Sequence, residues 1–203
     1  ANGFVTFGGF HNVAKLNDAV LDVWARILAR VPGSRLVLRW KSLSDIGLRD
    51  RLLRPFLARG IAPGRIVFQG AEPHDTMLAL YREIDLALDP FPFSGATTTC
   101  EALWMGVPVL TWPGSRAVSR QSAAILRAIG HEELCAASAD DYIDRAVALA
   151  GDAPRLASYR TALREDMRAS PLCDPVHFAG EFTRAVERAW DALAGAPATS
   201  PGT

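Results

Sequence analysis

The sequence predicts an α/β fold, a Rossmann-like doubly wound domain in which helices cover both faces of a parallel sheet. Short apolar segments of strand length alternate with amphipathic helical segments along most of the chain, which is the pattern of such sheets. The chain has 203 residues, of which 49% are apolar, enough for one sizeable core. We therefore predict one lobe over residues 1–194 and a frayed, flexible tail rich in Ala, Pro, Ser and Gly over 195–203.

The first half of the chain is predicted to contain three strands, each followed by a helix. A strand at 5–10 precedes Asn17, which caps a helix whose apolar residues recur at every third or fourth position until Pro32 and Gly33 end it. The same reasoning predicts strands at 35–40 and 65–68 and helices at 44–59 and 73–82.

The second half continues the alternation and ends in helices. A fourth strand at 85–89 leads into a loop of small residues and a further helix. The remaining predicted elements are strands at 107–111 and 134–136 and helices at 119–129, 138–150, 153–168 and 175–194. Trp24, Trp104 and Trp190 recur on apolar helical faces and are predicted to be core residues. Because the carboxyl ends of parallel strands share one edge, the loops after the first, third and fourth strands should converge on one crevice.

The start of the helix after the fourth strand carries the clearest functional signal. Gly95 and Ala96 precede three threonines, the first two being Thr97 and Thr98, at the beginning of an apolar helical run. The first turn of a helix has unpaired backbone N–H groups and the positive end of the dipole, so it binds anions. Glu101 follows about one turn later, where a carboxylate can accept hydrogen bonds from a ribose diol. The pattern indicates a nucleotide diphosphate; its alternative is an ordinary threonine cap with an acid that complements the dipole.

Charge and cysteine content argue against several classes of function. The 22 basic residues balance the 22 acidic ones, so no overall field would attract nucleic acid or an anionic membrane. No apolar run reaches the ~18 residues of a membrane span, and no signal peptide is recognisable. Three widely spaced cysteines are typical of reduced thiols, which predicts a cytoplasmic protein.

Two kinds of site are not predicted. The sequence has neither an Asp-x-Asp triplet nor a His and Cys cluster, so we expect no metal site. No Gly-x-Gly-x-x-Gly follows the first strand, which argues against a dinucleotide-dependent oxidoreductase.

The sequence also resembles a known family, the protein O-glycosyltransferases that include O-linked N-acetylglucosamine transferase and the plant SPINDLY-type O-fucosyltransferase. These are two-lobed enzymes of the GT-B fold, and the similarity is to their C-terminal catalytic half. It runs from about residue 4 to residue 194 and rests on the segments 7–16, 23–28, 31–34, 85–92, 97–108 and 170–173.

The resemblance implies a role for each candidate residue around the phosphates and the ribose. Lys15 matches the lysine that contacts the donor diphosphate and is the expected catalytic residue, with Asn12 as a nearby amide donor. Thr97 and Thr98 match a threonine pair on the phosphates, and Glu101 occupies the acidic position that binds the ribose hydroxyls. An ammonium group at Lys15 would stabilise the charge that grows on the departing diphosphate.

Further positions bear on the nucleobase and the donor sugar. His74 stands where the family packs a side chain against the base, and the backbone of Ala71 is expected to read the base edge. Ala96 replaces a histidine that many N-acetylglucosamine transferases carry, whereas Arg120 belongs to a Ser-Arg pair that matches those enzymes. These two positions therefore disagree about the sugar donor. The expected donor is UDP-N-acetylglucosamine, with GDP-fucose as the alternative.

Two other histidines have open interpretations. His11 lies in the Lys15 loop and faces either the crevice or solvent, and His131 follows a glycine at a helix end, as a cap or a surface residue.

The resemblance implies an inverting, metal-independent transferase with no cofactor besides its nucleotide-sugar donor, acting on Ser or Thr of proteins. It also implies partners in the parent protein, an N-terminal GT-B lobe and tetratricopeptide repeats, without which the isolated chain should catalyse little. Two alternatives remain: a GT-B transferase with a small-molecule or lipid acceptor, and a non-catalytic nucleotide-binding scaffold. Neither nucleic acid nor a membrane is an expected partner.

Overall fold

Five parallel strands form a single sheet in the part of the chain that the structure, a computed structural model, describes, namely residues 3–70 and 72–194. Their spatial order is β3-β2-β1-β4-β5. The strands are β1 Thr6–Gly9, β2 Arg35–Arg39, β3 Ile66–Gln69, β4 Leu86–Leu88 and β5 Val109–Leu110. The order reverses direction between β1 and β4, so these two strands flank the switch point at which doubly wound sheets bind ligands. The predicted fold class is confirmed, whereas Ala71 and the tail 195–203 lie outside the described residues.

Eight α-helices accompany the described strands. They are α1 Asp18–Arg30, α2 Ile46–Leu57, α3 His74–Leu80, α4 Thr97–Trp104, α5 Gln121–Ala128, α6 Ala139–Ala150, α7 Ala153–Arg168 and α8 Pro175–Ala194. No described helix is both long enough and apolar enough to cross a membrane.

The central strand β1 has helices and strands directly against its backbone, which explains its two glycines. A Cβ atom on Gly8 would lie 2.7 Å from Cγ2 of Ile84, and one on Gly9 would lie 2.9 Å from Cδ2 of Leu38 and 3.0 Å from the ring of Trp24. Trp24 is fully buried on α1. The two glycines thus let α1 and its neighbours close over the strand whose carboxyl end opens the site loop.

Helix α1 begins where the sequence predicts, and its cap also joins the site. The Asn17 side chain accepts a hydrogen bond from the Val20 N–H at 3.0 Å, as an N-cap does. Its amide nitrogen donates to the Phe91 carbonyl at 2.9 Å, in the loop that follows β4. A cap residue therefore fixes the β4 loop as well as the helix.

The strand predicted at 134–136 is wrong. Cys135 forms one parallel bridge with Thr111, and no ladder follows. The 3₁₀ turn Glu132–Leu134 ends directly before Cys135, and Ser138 already caps α6, so only four residues, 135–138, separate the two helical segments. The segment has β propensity, but the helical segments on either side leave it too short for more than one bridge.

The prediction that Trp190 is a core residue is also wrong. Trp190 is 71% exposed on α8, whereas Trp24 is buried and Trp104 half-buried. The exposed apolar residues of α8 are Val176, Phe178, Phe182, Val186, Trp190 and Leu193. Within the described residues, α8 packs mainly on the turn Pro171–Cys173, so its apolar face has no cover there.

Candidate functional site

Lys15 joins the loop after β1 to the loop after β4. It ends the 3₁₀ turn Val13–Lys15, which Asn12 caps by accepting a hydrogen bond from the Ala14 N–H at 3.0 Å. The Lys15 ammonium donates to the Ser94 carbonyl at 2.7 Å and lies 4.3 Å from the centre of the Phe93 ring. The structure therefore places Lys15 against the segment that leads into Thr97, while the Asn12 side chain acts as a cap.

The charge of Lys15 is partly desolvated. Burial lowers its pKa below the ordinary value, and the carboxylate of Asp89 acts in the opposite direction. A half-buried ammonium has fewer waters to give up when an anion arrives, so it interacts more strongly with a bound phosphate than a surface lysine would.

The N-terminus of α4 has no side-chain cap. Ala96 is its N-cap and has no side-chain oxygen, so no capping hydrogen bond forms. The N–H groups of Thr99 and Cys100 both donate to the Ala96 carbonyl at 3.1 Å. Thr97 and Thr98, the first two helical residues, have no intrahelical acceptor for their N–H groups. Two backbone donors and the positive end of the helix dipole thus face the same point.

A buried carboxylate that sequence reasoning missed holds this loop in place. Asp89 follows β4 and accepts hydrogen bonds from the Gly95 N–H at 2.7 Å and the Thr111 hydroxyl at 2.6 Å. Burial raises its pKa to about 6, although hydrogen bonds from Thr111 and Gly95 lower it. A lone acid at the carboxyl end of a buried strand was the available signal.

Gly95 is required by the close packing of this loop. A Cβ atom there would lie 2.4 Å from the Thr99 hydroxyl oxygen and 3.0 Å from a carboxylate oxygen of Asp89. The Thr99 hydroxyl pairs with that of Ser122 at 2.8 Å, and Thr99 is buried. The third threonine is therefore structural, and only Thr97 and Thr98 reach the open side of the helix start.

His11 is buried behind the helix start, so neither interpretation open from the sequence describes it. Its Nε2 lies 3.2 Å from the Leu88 carbonyl, and its Nδ1 lies 3.2 Å from the Thr98 hydroxyl. Burial lowers its pKa to about 3, and the nearby charge of Lys15 acts in the same direction. The imidazole is therefore neutral at physiological pH.

A cavity of about 340 Å³ extends from the helix start across the ends of β2 and β3. Four of the predicted residues line it, namely His74, Thr97, Thr98 and Glu101. Its remaining lining residues are Phe10, Arg39, Trp40, Lys41, Gly70, Glu72 and Met77. Lys15, Asn12 and Arg120 are not among them; Lys15 connects to this cavity through the loop that precedes Thr97.

Glu101 and His74 face each other across the cavity. The His74 Nε2 lies 4.0 Å from the Glu101 carboxylate, whose side chain is 16% exposed against 64% for His74. Burial raises the pKa of Glu101, and His74 acts in the opposite direction. Glu101 thus offers a carboxylate acceptor from the wall, and His74 offers an exposed ring at the mouth.

Arg39 is a second residue that sequence reasoning missed. It ends β2, is 4% exposed, and donates from Nη1 to the Gln69 side chain at 3.1 Å. Its Nη2 has no hydrogen-bond partner among the described residues. Since the sequence shows only an arginine at a strand end, no signal separated it from a surface residue.

Arg120 lies apart from this arrangement. Arg120 is exposed before α5, and within the described residues its guanidinium makes no hydrogen bond or ion pair. Its neighbour Val118 accepts hydrogen bonds from both the N–H and the hydroxyl of Ser94, at 3.1 and 3.0 Å. This segment supports the loop after β4 through its backbone, while a ligand role for Arg120 stays a prediction. Ala71 lies outside the described residues.

Comparisons with known proteins show similarity over most of the chain. Residues 1–182 match the model of glycosyl transferase family 41. The probable UDP-N-acetylglucosamine–peptide N-acetylglucosaminyltransferase SPINDLY of Solanum lycopersicum is 43% identical over 189 residues, which are 92% of this chain and 20% of the relative. The UDP-N-acetylglucosamine–peptide N-acetylglucosaminyltransferase of Caenorhabditis elegans is 29% identical over 92% of this chain and 16% of its own length. This chain therefore spans about a fifth of the curated relatives that it matches.

Solved structures extend the comparison to three dimensions. A lysine-to-methionine variant of the O-GlcNAc transferase of Thermobaculum terrenum superimposes with a TM-score of 0.88 and 39% identity, over 94% of this chain and 36% of that one. A sucrose-phosphate synthase of Thermosynechococcus elongatus, at 15% identity and a TM-score of 0.65 over 92% of this chain and 46% of its own, shares the fold alone.

Proposed function

Because the chain belongs to glycosyl transferase family 41, we propose that it is the nucleotide-sugar-binding half of an inverting, metal-independent transferase that glycosylates Ser or Thr of proteins. One observation carries the proposal: Lys15 is hydrogen-bonded to the loop that leads directly into an uncapped helix start. An ammonium and two backbone donors at one point suit a diphosphate.

The leaving group would be stabilised at this point. The oxygen of the acceptor hydroxyl bonds to the anomeric carbon and its proton is lost to a base or to water, while the bond from that carbon to the diphosphate oxygen breaks and negative charge grows on the diphosphate. An ammonium has three N–H donors, and Lys15 donates one of them to the Ser94 carbonyl. The others are available to phosphate oxygens, together with the N–H groups of Thr97 and Thr98. Donors that are already in place where charge develops lower the barrier.

The nucleoside would occupy the adjacent cavity. Its wall carries the Glu101 carboxylate, an acceptor for ribose hydroxyls, and its mouth carries the His74 ring, which can pack against the base. The roles of Asn12 as a ligand, of the Ala71 backbone and of Arg120 stay predictions. So does the choice between UDP-N-acetylglucosamine, which the relatives' names favour, and GDP-fucose.

The acceptor and the remaining partners are proposed from the family. The relatives are named as peptide transferases, so we favour a protein acceptor over a small molecule or a lipid. An N-terminal GT-B lobe, tetratricopeptide repeats and a cytoplasmic location stay predictions, and they matter because this chain spans 36% of the T. terrenum transferase chain.

Calorimetry with UDP and GDP tests the proposal on this chain. We expect one of the two to bind, and Glu101→Gln to raise its Kd about tenfold, because an amide is a weaker acceptor for ribose hydroxyls than a carboxylate. The matched control is Glu165→Gln, since Glu165 is exposed on α7 and pairs only with Arg168 at 3.0 Å. If neither diphosphate binds, the proposal is wrong.

A further inference from the structure

His11 bridges the two ends of the loop that joins β4 to α4. One ring nitrogen meets the Leu88 carbonyl at the end of β4, and the other meets the Thr98 hydroxyl in the first turn of α4, both at 3.2 Å. The segment 89–96 lies between these two contacts. His11 is 5% exposed, and the void beside it is only about 10 Å³, room for one water at most. A ligand therefore does not reach the ring directly.

The two contacts fix the position of every hydrogen atom in the bridge. A carbonyl oxygen only accepts, so the His11 Nε2 must carry the hydrogen that is donated to Leu88. In a neutral ring the other nitrogen, Nδ1, then has a lone pair and no hydrogen. The Thr98 hydroxyl must consequently be the donor to Nδ1. The low pKa of His11 supports the neutral form, since burial and the charge of Lys15 both oppose a second proton.

We infer that His11 is a positioning residue of the phosphate site: it accepts the hydroxyl hydrogen of Thr98 and leaves the backbone N–H groups of Thr97 and Thr98 to bind the diphosphate. This inference rests on the proposed function. The Thr98 hydroxyl turns its hydrogen inward, so it cannot also donate it to a phosphate oxygen. Its part is to hold the first turn of α4 against the end of β4, which aims the N–H groups.

Two charged side chains, Lys15 and Asp89, contact the loop that His11 bridges. Lys15 donates to the Ser94 carbonyl of this loop, and the buried Asp89 carboxylate accepts a hydrogen bond from its Gly95 N–H. The charge of Lys15 disfavours a charged His11. The Asp89 carboxylate accepts hydrogen bonds from Gly95 and Thr111 and none from the His11 ring. The neutral bridge is therefore the stable form in the absence of ligand.

The proton arrangement can be measured on the unaltered chain by NMR with ¹⁵N-labelled histidine. The sequence has four histidines, and the His11 signals are assigned as those lost in His11→Asn. We expect a ring protonated at Nε2 and bare at Nδ1, with no titration between pH 7.5 and about 5. Protonation at Nδ1, or titration near the ordinary histidine pKa of about 6.5, would overturn the inference.

Binding measurements test the positioning role with the nucleoside diphosphate that binds the wild type. We expect His11→Leu and Thr98→Val each to raise its Kd about tenfold, the size of one lost hydrogen bond. The double variant should be no weaker than either single one, because both remove the same bridge. His11→Asn, which keeps an amide acceptor and donor, should stay within about threefold, and the Kd of the free nucleoside should not change in any variant.

The opposite pattern would contradict the inference. If the Thr98 hydroxyl contacts the phosphate itself, Thr98→Val weakens binding as much in the His11→Leu background as in the wild type. The control Thr161→Val removes a hydroxyl that, among the described residues, bonds only within its own helix, to the Ser158 and Ala157 carbonyls, and should leave Kd unchanged. If the wild type binds neither UDP nor GDP, the proposed function fails, while the NMR result still decides the proton arrangement.

Discussion

At the scale of single residues, the site depends on side chains that hold a loop as much as on those that would touch a ligand. Asp89 and Gly95 shape the loop after β4, and Lys15 and Asn17 tie it to the loop after β1 by bonds to carbonyl oxygens. These contacts pre-organise the donors, so that little rearrangement is needed when a diphosphate binds. On the proposed function, this loop is part of the binding machinery rather than a connector.

Lys15 offers the sharpest test at this scale. In the full-length parent protein, Lys15→Ala should lower kcat with a peptide acceptor by about 100-fold or more, because it removes the ammonium proposed to stabilise the departing diphosphate. Single-turnover kinetics with the nucleotide-sugar donor measures the effect. Arg30→Ala removes a cation from the opposite end of α1, where it pairs with Asp144 at 2.5 Å, and should leave kcat unchanged. Activity close to wild type in Lys15→Ala would discard the assigned role.

At the scale of elements, the order and type of the strands and helices follow from the hydrophobic pattern, while contacts between elements do not. Strands β1, β2 and β4 are readable as short apolar runs because they are buried on both faces, and α1 is readable because it buries one face. The strand predicted at 134–136 failed because two helical segments flank it. Asp89 and Arg39 escaped notice, and His11 was expected at the crevice or in solvent, because their roles depend on partners far along the chain. Lys15, Thr97, Thr98 and Glu101 were found through helix-start physics and a family resemblance, although their ligand roles remain untested.

His131 shows how an element-level contact changes a residue's meaning. Its ring pairs with Glu133 and with Asp166 of α7, both at 2.9 Å, so it is more than the cap or surface residue considered from the sequence. Burial alone would lower its pKa, but hydrogen bonds and charges of Asp166 and Glu133 together raise it. The ion pair ties the segment after α5 to α7.

This pair should make stability depend on pH. Because the folded pKa of His131 is raised, its stabilisation is fully present below the unfolded value of about 6.5 and is lost as pH rises through the folded pKa. We expect wild type to lose about 1 kcal/mol or less of unfolding free energy relative to His131→Gln between pH 6 and pH 9, since the carboxylates are partly exposed. Urea unfolding measures the difference. His177→Gln on exposed α8 is the control, and an equal pH dependence in wild type and His131→Gln would refute the pairing.

At the scale of the whole molecule, one sheet edge collects the functional groups, and one helix stands outside the core. The edge is set by the 3-2-1-4-5 strand order, which brings the loops after β1, β3 and β4 together. Helix α8 exposes a continuous apolar face of a kind that soluble monomers seldom leave uncovered. Its periodicity predicted the face correctly, but a pattern in one chain does not say what covers that face, which is why Trp190 was misplaced.

The central claim is that a lone ammonium and the start of α4 together bind a diphosphate at this edge. A crystal structure of the chain with UDP or GDP, whichever binds, tests it most directly. We predict phosphate oxygens within about 3 Å of the Lys15 ammonium and of the N–H groups of Thr97 and Thr98, with the ribose hydroxyls on Glu101. A diphosphate bound elsewhere, with Lys15 still paired only with the Ser94 carbonyl, would contradict the account.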